Sequence, residues 1–372
     1  MAWTNVRQAA VKLPKLLLKG EINYDFDGIP IFPMKLSWKK RINLFKNGWN
    51  SLFRKSRLYG LPPIIQVEPT NICNLRCPLC PTGSGFLKRS KTKLPLAEFR
   101  RLLDELEDVL ISVYLFCFGE PFMHENILEM IGECTKRGIA TLTSTNGHFL
   151  QTCEEAEKLV ASGLRTLIVA LDGSTQDVFQ VYRRNGNLEK VKRFIGLVNE
   201  AKTKKGSPFP YIAARAVVTR DNEADLSNME NLSRELGANM FTYKSVGCMT
   251  HDKNFQNFEP SRREVRRFEY AGGARIRQKL ICCPFPFRQP IVFCDGNVVG
   301  CEYDHDMEKN FGNIKQESFK KIWNSSQARQ LRRSIIQKKD RPLFCTHCPY
   351  QDNVRKGTEL WCLEIKAVGR YQ

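Results

Sequence analysis

Between residues 64 and 244 the sequence changes its apolar rhythm again and again. Short apolar runs alternate with segments whose apolar residues recur three and four apart, and few folds accommodate that pattern. Strands are expected at 64–68, 113–118, 139–145, 166–172, 211–218 and 239–244. After Pro95, residues Leu96, Phe99, Leu102, Leu103, Leu106 and Leu110 fall on one helical face, and 124–137, 152–162, 188–201 and 226–236 continue the helical spacing. Such alternation implies an α/β fold with a parallel sheet and right-handed crossovers. Functional groups then belong at the C-terminal ends of the strands.

Directly after the first strand, the run QVEPTNICNLRCPLCP at 66–81 sets Cys73, Cys77 and Cys80 in a C-x3-C-x2-C spacing. Three thiols on one loop can close on one face of an inorganic cluster and leave a fourth position open. Structural zinc asks for four protein ligands, whereas a 4Fe-4S cube on three thiolates exposes one iron. On spacing alone a zinc site stays open as the other reading. Asn74, Arg76 and Pro78 keep the loop polar and non-helical, and Pro81 ends it.

This spacing resembles the signature of the radical S-adenosylmethionine (radical SAM) enzymes. The resemblance implies that Cys73, Cys77 and Cys80 bind a catalytic 4Fe-4S cluster whose fourth iron is chelated by the methionine moiety of S-adenosylmethionine. It also implies reductive cleavage to a 5'-deoxyadenosyl radical, with the cofactors carrying the hard step. Leu79 stands where the family often has an aromatic residue next to adenine. Phe118-Gly119-Glu120-Pro121 is similar to the family's Gly-Gly-Glu-Pro element, which receives the methionine amino group; Phe118 replaces the first glycine. Ser144-Thr145-Asn146-Gly147 resembles its Thr-Asn-Gly turn, and Val169-Ala170-Leu171-Asp172-Gly173 its Ile-Ser-Leu-Asp-Gly, with Ala170 in place of the serine. Asn146, Asp172 and Arg215 are thereby expected cofactor contacts, Arg215 reaching the methionine carboxylate if it points inward. The resemblance covers 64–245 and implies a partial, TIM-like (β/α)6 barrel within residues 61–270.

Cysteines return in the last hundred residues as Cys282, Cys283, Cys294, Cys301, Cys345, Cys348 and Cys362. The run from Cys283 to Cys301, then Phe311-Gly312-Asn313-Ile314, Ile322-Trp323-Asn324-Ser325 and Cys345-Thr346-His347-Cys348, resemble a small SPASM or twitch auxiliary-cluster domain. This implies that within 271–372 Cys283, Cys301, Cys345 and Cys348 saturate a second 4Fe-4S cluster. Cys282 is the alternative to Cys283, and zinc on four thiolates the alternative to the cluster. A saturated auxiliary cluster can take an electron from a substrate radical or return one, which suits a net oxidation or a radical quench. Cys117, Cys134, Cys153 and Cys248 are expected to be small core residues. Glu302, Asp304, His305, Asp306, His124, His148 and His251 are acid-base candidates without an assigned role.

The 372 residues carry 58 Lys and Arg against 39 Asp and Glu, a formal net charge of +19. Such a surface favours an anionic partner. No helix-turn-helix, zinc-finger or RNA-recognition signature accompanies it, so nucleic acid is not the expected one. An anionic small molecule or sugar is the expected substrate, and flavodoxin or ferredoxin the expected reductant. The alternatives are a peptide-modifying maturase and a non-catalytic iron-sulfur or zinc-bearing nucleic-acid binder. Fourteen cysteines, with no apolar run long enough to cross a bilayer and no signal-type segment, point to the reducing cytoplasm. The basic N-terminal extension at 1–60 includes 38–59, where basic residues alternate with Ile42, Phe45, Trp49 and Phe53. It is expected to pack on the main domain, the alternative being peripheral contact with a membrane surface.

Overall fold

The computed structural model describes residues 20, 24–33, 35–53, 55–247, 255–266, 268–271, 274–275, 283–346, 348 and 361–363. Most of residues 1–23, and Cys248, His251, Cys282 and His347, lie outside the described residues. A hairpin of β1 (Tyr24–Phe26) and β2 (Ile29–Ile31) comes first. Its turn residues Asp27 and Gly28 both have positive φ, 52° and 76°, the type I′ geometry that Asp-Gly favours. After the helix Trp38–Phe53 come β3 (Ile64–Val67), β4 (Ser112–Tyr114), β5 (Ala140–Thr145), β6 (Thr166–Ala170), β7 (Tyr211–Val218) and β8 (Met240–Ser245).

These last six lie side by side in sequence order, each neighbouring pair parallel. That order is what a string of right-handed βαβ units produces, and all six expected strands are present. The helices Leu96–Leu106, Ile127–Lys136, Cys153–Ala161, Leu188–Lys204 and Leu226–Glu235 fill the crossovers. Their apolar faces supply the burial: Phe99, Leu102, Leu103 and Leu106 of the first are all in the core. A capping box, Thr152 with Glu155, starts the helix Cys153–Ala161 by satisfying two backbone N–H groups.

Alternate strand residues point to two separate cores. Ile65, Val67, Val113, Leu167 and Val169 join the helix faces in the large one. On the opposite face Tyr114, Leu142, Ile168, Ala213 and Met240 pack against Ile29 and Ile31, so the N-terminal hairpin covers the sheet from inside. Its turn is pinned by charge: Asp27 Oδ2 lies 3.3 Å from both Arg215 Nη1 and Lys244 Nζ.

Beyond a small hairpin of β9 (Tyr270–Ala271) and β10 (Ala274–Arg275), the C-terminal region extends the same sheet. On one edge β11 (Ile291–Val292) pairs parallel with β3, and β12 (Asn297–Val299) and β13 (Gly312–Asn313) add antiparallel. On the other edge β14 (Trp361–Leu363) pairs antiparallel with β8, making ten strands among the described residues. Polar clamps reinforce the join. The Glu105 carboxylate accepts the N–H groups of Phe319 and Lys320 at 2.9 and 2.7 Å, and Trp323 Nε1 donates to the Gly60 carbonyl at 3.0 Å.

Candidate active site

The loop after β3 is held by its own hydrogen bonds. Thr70 Oγ1 donates to the Thr92 carbonyl at 2.8 Å, and Asn71 bonds both to the Ser90 carbonyl and to the Thr92 N–H. Cys80 N donates to Cys77 O, and Pro81 opens the short helix Pro81–Ser84, as its fixed φ allows. Gly83 sits so close that a Cβ there would lie 2.6 Å from Cys77 N. Cys77 is buried and Cys73 and Cys80 are half-buried.

Burial and neighbouring charge act on two of the three thiols. Burial pushes Cys73 up to about 12, and Glu120, Cys80 and Cys77 add to the rise. Cys77 is also raised by burial, against a lowering pull from Arg183. Such thiols ionise when a metal replaces their protons. Three thiols on one loop, one buried and two half-buried, fit a cluster face. Among the described residues no group of three or more His, Cys, Asp or Glu is placed to hold a single metal ion.

Glu120 lies across the next strand end, brought there by Gly119. Gly119 has φ +80°, and a Cβ on it would lie 2.4 Å from the Thr70 carbonyl, so only glycine lets the two loops touch. The backbone confirms the contact: Glu120 N donates to Ile72 O at 2.8 Å. The Glu120 side chain is buried and accepts from Thr145 Oγ1 at 2.8 Å, Asn146 N at 2.8 Å and Phe122 N at 3.2 Å. Burial still outweighs these bonds and lifts the carboxyl to about 7. Pro121 starts the single turn Pro121–Met123 behind it. Asn146 Nδ2 donates to Asn74 Oδ1 at 2.8 Å and lies 3.9 Å from Cys73 Sγ. The ends of β3, β4 and β5 thus meet at one point.

Asp172 reaches the same region through a residue the sequence did not flag. Its carboxylate accepts from Val217 N at 2.6 Å and pairs with Arg183, whose Nη1 lies 3.7 Å from Cys77 Sγ. Arg183 follows the helix Gln176–Tyr182 and belongs to no recognisable motif, so spacing could not find it. Leu79 is buried in an apolar cluster with Leu75, Tyr182, Phe255 and Phe258 that covers the cysteine loop. Arg215 is placed elsewhere: its guanidinium bonds Asp27 of the N-terminal hairpin and Thr242 Oγ1. A cleft of about 720 Å³ beside the loop is lined in part by Arg76, Pro78, Phe86 and Arg184.

The C-terminal cysteines form a second coupled group. Cys301 is raised well above the ordinary thiol value by burial, with Cys283 and Cys348 adding to it. Cys345 is pushed up to about 12 by burial and by the same two thiols. All four are half-buried. Cys134 and Cys294 are buried, Cys117 is half-buried, and Cys153 corrects the expectation of a core thiol, because it lies exposed at the start of its helix.

Residues 67–229 match the radical SAM superfamily, and 282–349 match SPASM, an iron-sulfur cluster-binding domain. The chain is similar to the tungsten-containing aldehyde ferredoxin oxidoreductase cofactor-modifying protein of Pyrococcus furiosus, at 25% identity over 80% of this chain and 91% of that one. It is 26% identical to the AdoMet-dependent heme synthase of Methanosarcina barkeri over 61% of its own length and 64% of the relative's. The crystal structure of Streptococcus suis SuiB shares the fold with a TM-score of 0.58 at 15% identity, covering 88% of this chain and 78% of SuiB. With its parallel sheet, its two sulfur sites and both domain matches, the chain is an enzyme of the radical SAM superfamily with a C-terminal SPASM domain, and its cofactors are a 4Fe-4S cluster, S-adenosylmethionine and auxiliary iron-sulfur.

Proposed function

We propose that Cys73, Cys77 and Cys80 hold the catalytic cluster and that the enzyme abstracts hydrogen from an anionic small molecule, with phosphorylated or nucleotide-linked sugars the first class to test. The observation that carries the site assignment is the meeting of the three-cysteine loop with a buried, glycine-positioned Glu120. Bound there, the cluster and S-adenosylmethionine supply the electron and the 5'-deoxyadenosyl radical that removes hydrogen from substrate. Glu120 orients the methionine amino group as an acceptor already fixed by Thr145, Asn146 and Phe122. Arg183, locked by Asp172, holds positive charge beside Cys77. Leu75, Leu79, Tyr182 and Phe258 exclude water from the loop. The cleft with Arg76 and Arg184 offers an acidic reductant such as flavodoxin or ferredoxin a landing place near the cluster. For the substrate, support comes from the net charge of +19. Screening candidates for transfer of deuterium from labelled sugar phosphates into 5'-deoxyadenosine tests it; transfer from a labelled peptide and from no sugar phosphate would overturn it.

Glu120 sets a pH signature. The ionised carboxylate accepts from the amino group and the neutral acid accepts poorly, so binding favours the charged form. Affinity for S-adenosylmethionine relative to the Glu120→Gln variant therefore falls as pH drops through the free carboxyl's value of about 7, by up to roughly tenfold per pH unit. Equilibrium binding at about pH 8 and about pH 6 checks this. A constant ratio would exclude Glu120 from the contact.

We assign Cys283, Cys301, Cys345 and Cys348 to one auxiliary cluster that exchanges an electron with the substrate radical. Replacing Cys345 and Cys348 by alanine is expected to remove about four iron atoms per chain and to stop product formation while 5'-deoxyadenosine still appears. Unchanged product turnover would count against the electron-transfer role.

A further inference from the structure

The helix Trp38–Phe53 is built inside out. Its face against the protein is largely polar, with Leu44 packed beside Leu36 and Ile111: Lys40 Nζ donates to the Gly138 carbonyl at 2.8 Å, and Asn43 exchanges two bonds with the backbone of Leu61 at 2.8 and 3.0 Å. Asn47 Nδ2 also reaches the Leu61 carbonyl, and Asn50 Oδ1 accepts from Tyr59 N. Lys40, Asn43 and Asn50 are buried. The outward face carries Trp38, Ile42, Phe45, Trp49 and Phe53, which are 39 to 59% exposed. These positions, spaced by four and three, form one stripe about 22 Å long at 1.5 Å per residue. A helix resting on a soluble core shows the reverse arrangement.

Charge identifies what the stripe meets. From residue 28 to residue 67 the sequence has no Asp or Glu, yet it carries Lys35, Lys39, Lys40, Arg41, Lys46, Arg54, Lys55 and Arg57. Lys35, Lys46, Lys55 and Arg57 are exposed, while Lys39 pairs with Asp108 at 2.7 Å. Tyr59, 62% exposed and stacked under Lys55 at 5.3 Å, prolongs the aromatic surface. Tryptophan, tyrosine and phenylalanine settle at the boundary between headgroups and acyl chains, and lysines beside them meet anionic headgroups. No helix among the described residues is long and apolar enough to cross a membrane, so contact would lie in the plane of the surface.

We propose that this helix docks the enzyme on an anionic phospholipid bilayer, with the aromatic stripe in the headgroup layer and the polar face holding the catalytic barrel above it. The inference does not rest on the cofactor assignments: it is argued from the helix Trp38–Phe53 and the segment that follows it. The test is cosedimentation of the full-length, cluster-loaded enzyme with vesicles of phosphatidylcholine alone and of phosphatidylcholine with phosphatidylglycerol. The expected result is binding to the anionic vesicles that weakens with salt and is at least roughly tenfold weaker on neutral ones. The variant Trp38→Ser/Phe45→Ser/Trp49→Ser should lose it while keeping its iron content and 5'-deoxyadenosine formation, since these side chains face solvent. Lys46→Gln and Lys55→Gln should each weaken it by roughly fivefold. Wild-type enzyme that stays in the supernatant, or a triple variant that still sediments, would overturn the proposal. So would a wild-type dimer that ignores vesicles and falls apart in the triple variant, which would give the stripe to a second copy of the chain.

Discussion

Replacing Cys73, Cys77 and Cys80 together by alanine will halve the iron of the reconstituted enzyme, from about eight atoms per chain to about four, and will reduce 5'-deoxyadenosine to background. The loop that carries the thiols is also held by hydrogen bonds of Thr70 and Asn71 and by the close approach of Gly83, so the fold should survive their loss. On the assignment proposed above, the remaining iron belongs to the C-terminal thiols. Iron analysis, and chromatography of reaction mixtures reduced with dithionite, read both effects. Full iron content in the variant would mean that the cluster ligands lie elsewhere.

The second large effect is on stability and comes from a residue with no proposed catalytic role. Glu68 and Arg89 form a bidentate pair at 2.8 and 2.8 Å, with side chains 0% and 2% exposed. Glu68 also accepts from Cys294 N at 3.1 Å, and Arg89 Nε donates to His305 O at 3.0 Å. The guanidinium lies 3.8 Å from the Phe293 ring centroid. One ion pair thus joins the end of β3 to the turn after β11, where the cysteine loop and the SPASM region meet. Glu68→Ala leaves a buried guanidinium without its counter-charge, which costs about 3–5 kcal/mol, and the melting midpoint should fall by roughly 5–15 °C. Glu68→Met/Arg89→Met removes both charges and should recover most of the loss. Equal melting of wild type and Glu68→Ala, or a double variant less stable than the single, would contradict this reading of the junction.

Much of the barrel was legible because its signals are local and repeated. Strands such as β6, buried along its whole length, read as unbroken apolar runs, and the helices between them show the 3.6-residue period. The cysteine loop and the turn at Gly119-Glu120 stand out because close thiols and a glycine-led turn leave fixed spacings in the sequence. Other features left fainter marks. The hairpin β1–β2 has strands of three residues, too short for a period, although Asp27-Gly28 between apolar pairs was a usable turn signal. Its presence also redirects Arg215, whose inward orientation satisfies Asp27. Arg183 acts through tertiary contact with Asp172 and Cys77, and nothing in its neighbourhood encodes that. The helix Trp38–Phe53 shows the clearest limit: its amphipathic period is visible, but which face turns inward depends on Asn43, Asn47 and Asn50 finding backbone partners near Leu61.

Electron paramagnetic resonance of the dithionite-reduced enzyme, with and without S-adenosylmethionine, tests the catalytic site most directly. If one cluster has an open iron beside Glu120 and the other is saturated by four thiolates, adding S-adenosylmethionine should shift one component of the spectrum and leave the other in place. The shifting component should be absent from the Cys73→Ala/Cys77→Ala/Cys80→Ala variant. A spectrum indifferent to S-adenosylmethionine, or a shifting component that survives in that variant, would contradict the assignment.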